Sequence, residues 1–482
     1  MRYLCFFLWG GVYMSGTSEP GCTKRKLGLI ELLALSLAFI SPTVVLCANG
    51  QALVGLTHVA LWKVYGLGWI GISSIAYSFG RLASMGGHVG MADVAVGQIL
   101  GKQAGQFASL ALLGAYASFS LANPNVTASF VSDIIHMLYP DMRITSYLPF
   151  FLLVLFFNLM IIRGQTNTIM HILLAMEGVG IILIIYLCVA VLMQPHTAIA
   201  HTVMPAEPIR ISSVLSGVVI AFLSWAGFES CMTLSEENGH SPRVMHQALA
   251  AGVIISGIMF VGVMAVIQYG FEQHLGGLSA LVISSNALAD MARYYIGRWS
   301  MVTFGVAALG SAFAGTVAAI TACSNLARHI VIGHDSVLPA YSAAFLSDHI
   351  LSPFGITVLI VCQQFLLVLL KPVLPVLPSG GMDIYAFFGT VGAVCIMISY
   401  LLVQLSALTA FYKQRRGAAW WEIIIAFLGL VFIVAALFSC IYQDGRAALC
   451  ALLAGIWMAC GIMGFLFMSL RKNNFIFCRK IR

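Results

Sequence analysis

Charge is what this chain has least of: only 9% of its residues are Asp, Glu, Lys or Arg, while 60% are hydrophobic. So little polar surface cannot clothe a soluble domain, and the composition implies a chain that lives in lipid. Also missing is any interval long enough to fold as a soluble domain. The longest loops, 194–210, 271–298 and 327–353, can each lie on a membrane surface, the second with a surface helix through Ser284 to Tyr295. Twelve cysteines occur, mostly in apolar runs, but no Cys-x-x-Cys pair and no matching histidine spacing accompanies them. They read as buried free thiols, not as a metal or disulfide framework. No motif calls for a cofactor. A membrane-embedded enzyme needs a convergent His/Asp, His/Glu or Ser/His set, to which His329, His334 and Asp335 are the nearest approach. A channel needs a repeated filter segment, and the chain has none.

What is present is a series of charge-poor runs, each near the roughly 20 residues that cross a bilayer. Twelve are expected, at about 28–54, 66–84, 104–137, 145–162, 166–193, 211–233, 246–270, 299–326, 354–371, 384–412, 421–442 and 447–470. With alternate loops on opposite sides, one side collects Lys24, Arg25, Lys26, Arg81, Lys102, Arg163, Arg243, Arg328, Lys413, Arg415, Arg416 and the basic tail 471–482. The other receives Lys63, Arg143, Arg210, Arg293, Arg298, Lys371 and Arg446. That excess puts both termini in the cytoplasm. The net charge of +7 is therefore topological and no argument for nucleic acid. Residues 3–14 resemble a short signal peptide, but the first true span already orients the chain, Met14 is an alternative start, and the stretch receives no role.

Two of the runs are interrupted. Ile40-Ser41-Pro42-Thr43 falls midway through the first, and Trp225-Ala226-Gly227-Phe228 in the sixth. Unwound backbone at membrane depth is tolerable only where it lines a cavity, and interrupted helices in corresponding halves of a chain mark the binding site of a carrier. The breaks divide the chain into a cytoplasmic tail 1–26, a first five-helix repeat 27–193, a second 211–412, accessory helices 421–470 and a cytoplasmic tail 471–482.

Several ordered segments resemble the amino acid/polyamine/organocation permeases. Leu27-Gly28-Leu29-Ile30-Glu31 through Gly50 lines up without gaps on that family's opening helix. Ala226-Gly227-Phe228-Glu229-Ser230, Ser235-Glu236-Glu237 and Ser241-Pro242-Arg243 are similar to its Gly-Phe-Glu, Glu-Glu and Asn-Pro-Arg sequence. Gly333-His334-Asp335-Ser336-Val337-Leu338-Pro339 resembles its Gly-Arg-Asp-Gly-x-x-Pro loop. The resemblance implies an all-α integral membrane protein of twelve helices. It further implies a LeuT-like pair of inverted five-helix repeats with helices 1 and 6 broken, two accessory helices, and a substrate held between helices 1, 3, 6, 8 and 10. The implied activity is secondary transport of amino acids across the cytoplasmic membrane by alternating access, coupled to a proton or to a counter-substrate. An amine or polyamine carrier and a permease-like sensor are the alternatives.

The chain departs from the family at its first break. Where relatives present Gly-Ser-Gly to the substrate carboxylate, it has Pro42, Thr43 and Val44; proline has no N–H, and valine adds a branched side chain. Capacity for a carboxylate then rests on Ser41, Thr43 and the half-helix N-terminus, and carbonyls near 37–39 favour a cation. A metal carrier of this fold would show Asp-Pro-Gly at the first break with Met and His in helix 6, and neither occurs.

Glu177, near the middle of the fifth span, has three readings: a proton-coupling group, a helix–helix hydrogen bond, or a substrate contact. His171 is either its relay partner or an interfacial residue. Glu229 either caps the helix after the second break or meets substrate. Trp225 and Phe228 either close over the substrate or simply pack. Asn123, beside Pro124 and with Ser118, Ser120, Asn125 and Thr127, edges the cavity or bonds a neighbouring helix. Ser311, near Thr316 in helix 8, completes a coupling-ion site or belongs to a packing face. Tyr385, Thr390 and Gly392 are cavity walls by resemblance alone.

Overall fold

A computed structural model describes residues 29–57, 60–86, 92–139, 141, 148–162, 166–194, 211–234, 242–284, 286–332, 346–413, 419–442 and 448–463, and among them every regular element is helical. The tails, the 235–241 part of the helix-6 motif and the 333–339 loop motif lie outside the described residues, as does the side chain of His171. Helices α1 (Leu29–Ile40) and α2 (Pro42–Thr57) are two halves of one apolar run. They are followed by α3 (Leu61–Gly86), α4 (Ala92–Leu100), α5 (Lys102–Leu138), α6 (Leu148–Ile162), α7 (Thr166–Leu192) and α8 (Ile211–Leu223). The second half holds α9 (Pro242–His274), α10 (Leu278–Ile283), α11 (Ala287–Tyr295), α12 (Ser300–Ile332), α13 (Pro353–Leu370), α14 (Gly381–Lys413), α15 (Trp420–Tyr442) and α16 (Ala448–Met463).

Eight stretches among the described residues are long and apolar enough to cross a bilayer, which makes this an integral membrane protein. The exposure pattern has the sense expected in lipid. On α7 the exposed residues include Val179, Ile182, Ile185, Val189 and Leu192 with the ring of Tyr186, while Glu177, Ile184 and Val191 are buried on the inward side. At about 1.5 Å per residue the 37 residues of α5 reach about 55 Å, well past a hydrocarbon core of about 30 Å. That length lets α5 act as a mast: it packs against α4, α6, α12 and α14, continuing through Pro124. A second group forms where α9 runs along α3 and α1 while α8 packs on α2 and α3.

Two local expectations change. The short α4 is absent from the hydropathy reading because its nine residues are too few to register as a span. The expected surface helix at 284–295 begins at Ala287, where Asn286 Oδ1 accepts the Ala289 N–H at 3.0 Å as an N-cap. It is no surface helix: Ala287, Leu288, Ala289, Met291 and Ala292 are buried as it packs on α2 and α12, and Tyr295 donates to the Gly270 carbonyl at 2.8 Å. Small side chains on the inward face let it sink against the bundle.

Candidate functional site

The first interruption is a single residue. Ser41 sits at φ 50°, in the left-handed region that costs a non-glycine residue about 1–2 kcal/mol. Pro42 is the cause. It disfavours the right-handed helical conformation for the residue before it and offers no N–H to the Ala38 carbonyl. Ser41 compensates by donating its hydroxyl to that carbonyl at 2.8 Å, with the Ser311 carbonyl 3.2 Å away. The hydrogen-bond ladder resumes with Val45 N–H to Ser41 O at 3.2 Å.

The second interruption is longer. After Leu223 the chain winds through residues 224–229 into a 3₁₀ segment, Ser230–Leu234. Its amides bond three residues back: Trp225 to Phe222, Ala226 to Leu223, Phe228 to Trp225 and Ser230 to Gly227, at 2.9–3.2 Å. Gly227 has φ 89°, and a Cβ there would run into the Phe39 ring. With Ser36 Oγ donating to the Phe228 carbonyl at 2.8 Å, the two interruptions are seated directly on one another.

Between them lies a cavity of about 30 Å³. A water needs about 10–15 Å³ on this measure, so the space holds about two waters and the site is nearly closed. Its polar groups are Ser41, Asn123 and Tyr385; rings of Phe39 and Phe119 and the aliphatic Ile40, Val44, Val45, Val126 and Leu223 make most of the wall, with Ala226, Ala312 and Gly389 as its small residues. No acid, base, thiol or imidazole lines it. Of the residues singled out in the sequence, Ser41, Val44, Ala226, Asn123 and Tyr385 thus meet at one cavity.

The others face elsewhere. Thr43 turns to α7, where Glu177 Oε1 accepts its N–H at 3.0 Å and its hydroxyl at 2.9 Å. Glu177 Oε2 and, on the neighbouring α12, Ser311 Oγ are both buried without a hydrogen-bond partner. Pro42 is the breaker and does not line this cavity. Trp225 points to α9, donating Nε1–H to Ser256 Oγ at 2.9 Å and packing on Phe260 at 5.0 Å. Phe228 packs on Phe79 at 5.9 Å and Tyr400 at 5.5 Å, so in this conformation both rings pack and neither closes over the cavity. Gly227 serves the contact with Phe39 instead of the lining. Glu229 accepts the Tyr116 hydroxyl at 2.9 Å and the Tyr400 hydroxyl on its other oxygen, with the amides of Gly227 and Glu229 also facing it. It ties the second break to α5 and α14. Asn125 bonds Gln364 of α13 at 3.3 Å, a helix-to-helix link. Phe39 and Phe119 were not singled out as lining residues; Phe119 shares a helical face with Asn123 four residues on, which was an available signal, whereas Phe39 reaches the cavity through the change of direction at Ser41.

A model of the family described as amino acid permease matches residues 27–467. The chain belongs to the amino acid permease family. The permease is accordingly a membrane transporter and not an enzyme. Solved structures of similar shape include three mutants of the Eremococcus coleocola manganese transporter. Each is 11% identical to the permease and covers 92% of it and 95% of the transporter, with TM-scores of 0.51, 0.51 and 0.52. A likeness at that identity speaks to the fold. No curated protein matches the permease sequence.

Proposed function

We propose that this permease is a secondary transporter of a small, neutral amino acid, working by alternating access through the cavity between the two interruptions. The observation that carries the reading is the cavity itself: apolar walls and three neutral polar groups, set between the two breaks. Such a site receives an apolar side chain against Phe39, Phe119 and the aliphatic wall, and directs its polar end to Ser41, Asn123 and Tyr385. Twelve spans are supported by the eight long apolar helices and the shorter α6 and α16, to which α3 and the interrupted α8 are added. A LeuT-like 5+5 arrangement is supported by the breaks in corresponding places and by the two packing groups, α1, α2, α3, α8 and α9 against α5, α6, α12 and α13. The Lys and Arg distribution supports cytoplasmic termini in a cell's surface membrane.

The energy source we assign is a proton carried by Glu177, with exchange as the alternative. One carboxyl oxygen is held by Thr43 while the other is buried without a hydrogen-bond partner, an arrangement in which that oxygen can gain and lose a proton without disturbing the hold on the first break. A manganese substrate, as in the transporter of similar fold, is disfavoured by the chemistry of the wall: among the described residues no group of three His, Cys, Asp or Glu comes together.

One observation favours an amine over an amino acid. The positive end of α2 is already engaged, since Thr43 gives both donors to Glu177 and Pro42 has none, leaving little there for a substrate carboxylate. Uptake by proteoliposomes of labelled amino acids and of diamines, with and without an imposed proton gradient, decides between them. Neutral amino acid uptake driven by the gradient is expected; amine uptake alone would favour the second reading, and uptake of neither would sink both.

A further inference from the structure

The helices that follow the two repeats differ in what they hold. One face of α15 carries Glu422, Ile425, Gly429 and Phe432, spaced i, i+3, i+7 and i+10. One face of α3 carries Gly71, Ser74, Ser78 and Arg81 at the same spacing. The helices run in opposite directions and the faces interlock. Arg81 Nε donates to Glu422 Oε1 at 2.8 Å, and the Tyr77 hydroxyl donates to the same oxygen at 2.7 Å. Glu422 Oε2 accepts the Ala419 N–H at 3.0 Å, so the acid also caps its own helix. Ser74 Oγ donates to the Ile425 carbonyl. Gly429 lets the helices close up: a Cβ there would lie 2.7 Å from Ser74 Oγ. At the far end Phe432 fills the space over Gly71 and stacks on Phe222 of α8 at 6.0 Å. The seam also meets α14, which α15 packs along: Ser78 Oγ donates to Gln404 Oε1 at 2.8 Å, and a Cβ on Gly429 would lie 2.6 Å from Gln404 Nε2.

An acid with a side chain only 4% exposed, at the end of an apolar span, is costly and needs a reason. Greasy packing alone would hold an idle peripheral helix. Helix α16 shows the contrast: Trp457 Nε1–H donates to the Leu110 carbonyl of α5 at 3.0 Å, Gly461 abuts Leu110, and Cys450 lies against the Phe387 carbonyl of α14 at 3.5 Å.

We infer that α15 travels with α3 as part of the moving body while α16 stays with α5, and that Glu422 is a positioning residue for the transport step. The inference rests on the alternating-access reading above, in which the group containing α3 rocks against the group containing α5. Helices outside the repeats then belong to opposite bodies, and the polar seam transmits the motion of α3 to α15.

The test uses the full-length permease in proteoliposomes with a labelled amino acid mixture as probe. Oxidising the Ser74→Cys, Gly429→Cys pair should cross-link the seam and leave uptake near that of the reduced form, with each single-cysteine variant as control; uptake lost on oxidation and regained with reductant overturns the inference. Reversing one charge, Arg81→Glu or Glu422→Arg, should lower the maximal rate about tenfold with KM unchanged, and the double reversal should restore it. Single reversals that leave the rate intact, or that raise KM instead, overturn it. Wild-type vesicles inert to every amino acid would count against the proposed function alone. Hydrogen exchange of Glu422→Gln then decides: residues 66–82 and 420–440 must lose protection together with α5 unchanged, and loosening of α15 by itself refutes the inference.

Discussion

The two interruptions reach the same end by opposite means. At Ser41 a proline stops the helix for one residue, and a hydroxyl repairs the lost bond so that α2 starts again at once. At 224–229 a glycine lets the chain tighten into turns that bond three residues back and never relax into a regular helix before Leu234. The first is a stiff notch and the second a coiled joint. Each also has its own acid: Glu177 comes to the notch from α7, while Glu229 belongs to the joint and is held by tyrosines of α5 and α14. The lesson is that proline supplies a break with a fixed direction, and glycine supplies a break that another chain segment can enter.

The largest expected effect comes from filling the joint. Gly227→Ala must place a methyl in the Phe39 ring at a positive φ, costing roughly 2–5 kcal/mol from left-handed strain and overpacking together. Thermal unfolding in detergent should show a large drop, and an unchanged midpoint would remove the contact between the breaks. Healing the notch comes next. Pro42→Ala restores the N–H for the Ala38 carbonyl and relieves up to about 3 kcal/mol of helix penalty, so stability should hold or rise while uptake falls about tenfold; undiminished uptake would show that the notch is idle. Glu177→Gln keeps the size and one acceptor but cannot carry a proton, so gradient-driven uptake should vanish while exchange persists. A preserved gradient response would assign coupling elsewhere. Trp225→Phe should cost about 1–3 kcal/mol, the bond to Ser256 and the space the indole vacates, with KM unchanged because the indole faces α9; a raised KM would bring that ring to the substrate.

Much of the scaffold was legible. Long apolar runs and the punctuation of Pro42 and Gly227 locate spans and breaks because the bilayer forces backbone bonds to close within each helix. What hydropathy missed was short: α4 and α10 are too brief to form apolar runs, and half of the buried face of α11 is alanine, which carries little signal. In the site, residues 41–44 were treated as one surface, yet at 100° per residue only 41, 44 and 45 share a side. That rotation sends Thr43 to Glu177 and leaves Ser41, Val44 and Val45 at the cavity. The periodicity was available; which side faced inward depended on the packing of α7 and α12, which distant parts of the chain supply. Trp225 escaped for the same reason, since turns of three residues rotate the chain differently from an α-helix.

Phe39 resting in the space that Gly227 leaves has a mechanical consequence. The knuckle joins segments almost two hundred positions apart, so neither half can tilt without dragging its counterpart. A guest molecule that nudges one side is felt at once on the other, and the pair answers as a single lever.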